Sequence, residues 1–325
     1  MRRRDFFACL AALPLLAPLR ADAQGDWPSR PVRIVVPFPP GGQADTAARP
    51  VAAALSQSLG RPVLVENRIG GSGAVGINGV IRGEADGHTL LMTLPSVFVV
   101  PEADRLFGRE PAYDVAALDP IARILADPLV LVVKADAPWR SVADLVADAR
   151  RRPGEIAYSS SGIYGVSHVA TEMFAAAAGI RMLHVPFNGG APALTSVLGG
   201  QVAMTGVAAG TAQRHVEAGT MRILASWGDS RIASLPDTPT FKDAGYPDVV
   251  LVVWATLFAP KGVPADRIVR LREAIGQAMR SAETAGAFER AGHVPGHLDG
   301  PALTRFLEAD AARLTAATRR IGRVE

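Results

Sequence analysis

The stretch Ile34-Val35-Val36-Pro37-Phe38-Pro39-Pro40-Gly41-Gly42-Gln43-Ala44-Asp45 constrains the fold more than any other part of the chain. Its β-branched run predicts a buried strand, because such side chains pack well on a pleated surface. Prolines cannot continue a ladder, so the strand ends near Pro37. Two glycines then lead into an alanine-rich segment of helical spacing. A strand turning so sharply into a helix aims the unbonded N–H groups of the first helical turn at one spot, with the positive end of the helix dipole behind them. Such a spot binds anions, carboxylates among them.

Beyond this unit the chain alternates short apolar runs with helical periodicity, which argues for an α/β fold with mostly parallel sheets. Strands are predicted at 32–37, 62–66, 89–94, 127–135, 156–159, 182–186, 202–206, 222–226 and 249–259. Helices are predicted at 43–59, 77–82, 142–152, 167–178, 191–198, 212–218, 265–282, 283–291 and 301–319. Two of the strands, 127–135 and 249–259, are long and apolar and bracket a middle block. They predict two lobes joined by two crossings. Residues 24–127 begin the first lobe, 128–248 form the second, and 249–325 return to the first and end in helices. Pro50, inside the first helix, predicts a kink just past the turn.

Charge argues against nucleic acid. The 34 basic residues face 31 acidic ones, and only Lys134, Lys242 and Lys261 are lysines. Both signs are interspersed, with no basic stripe among aromatics. Arg150-Arg151-Arg152 reads as a solvated helix end. Residues 1–23 read as a cleavable signal peptide that sends the protein to the periplasm. Arg2-Arg3-Arg4 precede an apolar stretch too short and proline-broken to span a bilayer, and Ala21-Asp22-Ala23 fits a cleavage site. Arg3-Arg4-Asp5-Phe6-Phe7 resembles a twin-arginine signal, with the general secretory route as the alternative. Cys9, the single cysteine, lies in that segment. No disulfide, thiol nucleophile or cysteine metal ligand is therefore expected in the exported chain.

Two further loops are candidates. Gly71-Ser72-Gly73-Ala74-Val75-Gly76 matches the dinucleotide fingerprint letter for letter. However, Asn67-Arg68-Ile69-Gly70 separate it from its strand, where a dinucleotide fold runs straight into the first glycine; a wide structural turn is the competing reading. Ser159-Ser160-Ser161-Gly162-Ile163-Tyr164-Gly165-Val166-Ser167 is a strand-to-helix loop that offers hydroxyls and close N–H groups to an anion, or else a plain Ser/Gly turn capped by Ser167. Both it and the 37–45 turn lie at carboxyl ends of strands, where ligands of α/β sheets bind. No nucleophile elbow or Ser-x-x-Lys occurs, so no catalytic residue is assigned and no enzyme activity is expected. His168 and Glu172 stand four apart and read as a helix-surface pair, and the other histidines are scattered. No metal or cofactor is expected.

On these motifs the chain resembles the substrate-binding receptors of tripartite tricarboxylate transporters, the Bug proteins. The resemblance runs from Trp27-Pro28-Ser29-Arg30-Pro31-Val32-Arg33 through the 36–42 segment with Asp45 and Arg49. It continues in Val63-Leu64-Val65-Glu66-Asn67-Arg68, Asp86-Gly87-His88-Thr89-Leu90-Leu91 and His184-Val185-Pro186-Phe187. Ala191-Pro192-Ala193-Leu194-Thr195, Leu198-Gly199-Gly200-Gln201-Val202, Leu235-Pro236-Asp237-Thr238-Pro239-Thr240 and Ala259-Pro260-Lys261-Gly262 complete it. It implies the two-lobe periplasmic binding-protein fold (type II), with a small carboxylate enclosed between lobes crossed by two strands. Phe38, Pro39, Pro40, Gly41, Gly42 and Asp45 would form one wall, with Thr93 and Ser96 nearby. Ser160, Ser161, Gly162, Tyr164, Gly165, Asn188, Gly189 and Gly206 would form the other.

The expected mechanism is closure of the lobes on the ligand, followed by docking on membrane permease subunits, with the receptor a monomer. The Gly41 and Gly42 N–H groups would take the carboxylate and the 160–165 loop would add hydroxyls. A ligand sensor acting on a membrane signalling partner is one alternative, and a nucleotide-dependent enzyme using the 71–76 loop another. The chain departs from the family pattern at Tyr164-Gly165, where Gly-Ser is usual. It also departs at Asn188 (usually basic), Ala203 (usually Asp) and Gly206 (usually aromatic). Tyr164 is expected to fill the space left at Gly206.

Overall fold

The computed structural model describes residues 27–323, so the expected signal segment and Cys9 lie outside the described part. β1 (Val32–Val36) enters α1 (Gln43–Leu59), which stops at Gly60 in the left-handed conformation that glycine adopts without steric cost. β2 (Val63–Asn67), α2 (Ala74–Ile81), β3 (Thr89–Thr93) and α3 (Ser96–Leu106) follow, then β4 (Leu118–Lys134), the longest strand. The middle block is α4 (Val142–Arg151), β5 (Ala157–Ser160), α5 (Val166–Ala178), β6 (Leu183–Pro186), α6 (Gly190–Leu198), β7 (Met204–Ala208), α7 (Ala209–Glu217) and β8 (Met221–Ser226). β9 (Val252–Pro260) returns to the first sheet, and α8 (Ala265–Met279), α9 (Ala282–Ala291), β10 (Pro295–Asp299) and α10 (Gly300–Ile321) finish the described chain.

The strands run in the order β2-β1-β3-β9-β4-β7-β5-β6, with β8 and β10 also on β4. β4 belongs to two sheets. From Leu118 to Pro128 it pairs with β9, and from Leu129 onward with β7. β9 is antiparallel to both β3 and β4, so β1, β2 and β3 run the same way as β4. β7 is antiparallel to β4 and parallel to β5, and β5 to β6, so these run the opposite way. Both parallel sets therefore end at the middle of β4. Thr93, the last residue of β3, is level with Arg123 through Thr256, and Ala208, the last of β7, is level with Leu129. Six residues of strand separate these levels, about 20 Å.

Three elements differ from the sequence expectation: β4, α3 and β10 (Pro295–Asp299), the last a strand where none was predicted; α1 has its expected bounds. β4 begins nine residues before the predicted 127, because bulges beside Pro120 and Arg123 absorb a proline that the ladder would otherwise reject. α3 is a helix although Val97, Val99, Val100 and Pro101 disfavour one. Its inner face buries Val97, Val99, Pro101 and Ala103, and that burial overrides propensity. α1 runs unbroken through Pro50. The ring removes only the bond to the Thr46 carbonyl, while Ala47, Ala48, Val51 and Leu55 hold the helix on the core.

Each face of the first sheet has its own core. Ile34, Leu55, Leu257 and Leu271 pack under α1 and α8, and Val35, Trp254, Leu303 and Leu307 pack under α2 and α10. The second sheet buries Tyr158, Phe174, Trp227 and Phe241, and this cluster takes in Val99 of α3 and Leu314 of α10. α10 thus packs against both sheets. Its buried Asp310 accepts a 2.7 Å bond from the Trp254 indole. Burial raises the Asp310 carboxyl above its ordinary range, and the indole opposes that rise. With the folded pKa above the unfolded one, the stability this group contributes is present in acid and is lost as pH rises. Trp254→Phe should destabilise the protein by about 1–3 kcal/mol. Urea unfolding should show the larger deficit at pH 7.5 than at pH 4.

Candidate functional site

The turn after β1 is built around a carboxylate. Asp45 is buried, and Arg49 donates to it twice at 2.8 Å, the Gly41 N–H at 2.9 Å and the Asn67 amide at 3.0 Å. Asn67 also bonds the Phe38 carbonyl. Burial by itself would raise the Asp45 pKa, but the hydrogen bonds from Arg49, Gly41 and Asn67 outweigh it and hold the carboxyl below its ordinary value. Gly41, at φ +76°, allows the chain to close on this group. Two expectations are corrected here. Asp45 is a staple for the turn and faces inward. The Gly41 N–H is engaged by Asp45 and the Gly42 N–H by the Pro39 carbonyl at 3.3 Å. Helix geometry leaves the next donors, Gln43 and Ala44, without acceptors, and no side chain caps α1. Pro39, Pro40 and Gly41 are exposed beside them, and Phe38 is half-buried.

Thr93 is fully buried with no hydrogen-bond partner for its hydroxyl, and the same holds for Thr256 directly across the ladder. Ser96 opens α3 and is half-buried.

The loop after β5 is also tied internally. The Ser160 hydroxyl donates to the Gly162 carbonyl at 3.0 Å and lies 2.6 Å from His184 Nε2, so it is not a free donor for a ligand as expected. The Ser161 N–H bonds the Ser167 hydroxyl, and the two hydroxyls are 3.2 Å apart. Gly165 begins α5 without a side-chain cap. A Cβ there would stand 2.8 Å from Ser161 Oγ and 3.0 Å from the Gly162 carbonyl. Gly162 has φ +133°. Tyr164 adopts φ +57°, costly for a residue with a Cβ, and is held by its neighbours. Its N–H donates to His168 Nδ1, its hydroxyl to the Gly322 carbonyl, and its ring meets Phe107 edge-on. Tyr164 therefore does not fill the space at Gly206. The atoms nearest a Cβ at Gly206 belong to Ser167 and Trp227. Asn188 is exposed, and Gly189, at φ +114°, starts α6, again with no side-chain cap.

Beneath the 160–165 loop lies a cluster that the sequence reading missed. His168, expected on a helix surface, is buried and stacks face to face on His184 at 3.8 Å, and Tyr158 stacks on His184 in turn. The Tyr158 hydroxyl bonds Glu172 at 2.5 Å. Burial pushes His168 down to about 3, with His184 adding to the effect, and burial pushes His184 down to about 4. The i, i+4 spacing of His168 and Glu172 was visible, but only the strand pairing of β5 with β6 brings His184 to them.

A surface hollow of about 510 Å³ lined by Arg30, Arg33, Arg68 and Glu84 lies at the amino end of β1 and β3, away from these loops. Arg30 is paired with Glu84 and Asp86 and Arg68 with Glu66, which leaves it little net charge.

The starts of α1, α5 and α6, none with a side-chain cap, thus follow strands of the two parallel sets that end toward the middle of β4. Two sheets joined along β4, with such turns at their junction, define a two-lobe solute-binding receptor of the periplasmic type. The chain belongs to the tripartite tricarboxylate transporter family of receptors (TctC), whose model matches residues 47–322. It is 34% identical over 301 residues to protein BugT of Bordetella pertussis, covering 93% of this chain and 91% of that one. Among solved structures, Rpa4515 of R. palustris with adipate superposes with a TM-score of 0.81 at 33% identity, covering 90% of this chain and 98% of that one. MatC of Rhodopseudomonas palustris with bound malate gives 0.80 at 25%, covering 90% and 100%.

Asp45→Asn should cost about 2 kcal/mol at pH 7 through its charged hydrogen bonds, the more exposed Arg49 pair adding little. Because the folded pKa is lowered, the stabilisation is present above the ordinary carboxylate pKa and is lost as pH falls through the lowered value. Unfolding curves of parent and variant should converge in acid.

Proposed function

We propose that the protein binds a small organic carboxylate between its lobes, in the periplasm, and delivers it to the permease subunits of a tripartite transporter. The observation that carries this reading is the set of glycine-started, uncapped helices at converging strand ends. A carboxylate there would accept from the Gln43 and Ala44 N–H groups of α1 and from the first turns of α5 and α6. Asp45 and Ser160 act by shaping the turns. Charge-assisted bonds of this kind contribute roughly 1.5–3 kcal/mol each, so three or four reach micromolar affinity after ordering costs. Adipate and malate, the acids present in the two R. palustris structures, are the first candidates.

The lobes in this reading meet at 127/128, where β4 passes between the sheets, and at 248/249, on the segment that leads into β9. Contacts to both would favour a closed state that the permease recognises in a monomeric receptor. Export by the signal peptide of residues 1–23 belongs to the same reading. The nucleotide alternative is weakened by Gly76, whose missing side chain is explained by packing. A Cβ there would stand 2.7 Å from the Arg68 carbonyl and 2.9 Å from Pro37.

At 1 mM, a ligand of micromolar Kd stabilises the folded state by about 4 kcal/mol. Thermal melts of the exported chain against a panel of mono- and dicarboxylic acids, with NAD as control, should show a clear rise for at least one acid and none for NAD. A rise with NAD alone would reverse the assignment.

A further inference from the structure

Asp127 occupies the point on β4 where pairing passes from β9 to β7. It is buried, and all its bonds lead elsewhere. Oδ2 accepts from the Gln43 amide at 2.7 Å and meets His293 Nδ1 at 2.6 Å, and Oδ1 accepts the Val294 N–H at 2.6 Å. The His293 side chain is only 7% exposed, and its Nε2 lies 2.7 Å from the Thr46 hydroxyl. A carboxylate has only lone pairs to offer, so Nδ1 donates to Asp127, and Nε2 shares a second hydrogen bond with the Thr46 hydroxyl. Gln43 and Thr46 are the first and fourth residues of α1. The crossing strand is therefore tied at two points to the first turn of the helix assigned to the ligand.

The segment carrying His293 touches the middle block as well. Gly292, at φ +74°, packs backbone to backbone on Gly210 in the first turn of α7, and any Cβ on Gly210 would overlap the Gly292 carbonyl. Val294 adds a 3.1 Å bond from the Ala126 N–H. Residues 292–294 thus link α1, the crossing strand and α7.

We infer that Asp127 and His293 are positioning residues that fix the first turn of α1 to the strand crossing between the lobes. A ligand held by that turn then acts directly on the junction. The inference rests on the proposed ligand site at α1. Thr46 bonds carbonyls of its own helix, Gly42 at 3.0 Å and Gln43 at 3.2 Å, which suits a tether better than a nucleophile, although the Asp-His-Thr order is that of a hydrolytic triad.

The test compares the parent with Thr46→Val, Gln43→Met, His293→Phe and the conservative Thr46→Ser. Hydrogen exchange of the amides of residues 46–48 is followed without ligand, and binding of adipate and malate is measured by calorimetry. The first three variants should melt within a few degrees of the parent, exchange at least tenfold faster at 46–48, and bind about tenfold more weakly. Thr46→Ser should restore both. Unchanged exchange overturns the tether, and faster exchange with unchanged affinity overturns its role in binding. If the parent binds neither acid, the choice of those ligands fails while exchange still decides the tether. Hydrolysis of p-nitrophenyl acetate by the parent, lost in Thr46→Val, would replace the inference with a catalytic one.

Discussion

The shared strand β4 sets the geometry on which everything else depends. A ladder partner antiparallel at one end and a different antiparallel partner at the other leave no choice of direction. The parallel strands of one sheet point toward the junction from below and those of the other from above. Loops at the carboxyl ends of both sets must then look at each other across a few residues of β4. Helix dipoles follow strand direction, so the positive ends of α1, α5 and α6 point into the same space. Selectivity for an anion is in this sense a property of topology before it is one of side chains.

The side chains refine that field. Asp45 and Asp127 place two carboxylates at the start of α1, each satisfied by its own hydrogen-bond donors: Arg49, Gly41 and Asn67 for one, His293, Gln43 and Val294 for the other. They use up the cations and amides nearest the turn and leave the backbone N–H groups of the first helical turn as its unbonded donors. The opposite loop is arranged alike, with Ser160, Ser161 and Tyr164 satisfied within the protein. Both turns are held in shape by internal bonds before a ligand arrives, which reduces the ordering cost of binding.

Much of this was legible in the sequence. α1 falls where spacing and Gly60 put it, and β1, β2, β3, β5, β6 and β8 lie within a residue or two of their expected places, because local period and turn chemistry agree there. Legibility failed where tertiary burial overrode local preference, as in α3 with Pro101 and the proline-bearing start of β4. It failed again where the meaning of a residue depends on partners distant in the chain. Asp45 reads as a site residue until Asn67 and Gly41 are seen around it. His168 reads as a surface residue until β6 brings His184 onto its ring. His293 gives no sign that it meets Asp127, 166 residues earlier.

The stacked imidazoles under the 160–165 loop bear on life outside the laboratory buffer. A compartment separated from its surroundings only by a porous outer membrane shares their acidity. Rings held uncharged until about pH 4 keep the floor of this loop in one electrostatic state through a mildly acidic habitat. Free carboxylic acids begin to lose their charge in that same range. Weakening of capture in sour surroundings would then originate in the cargo before it originates in this loop.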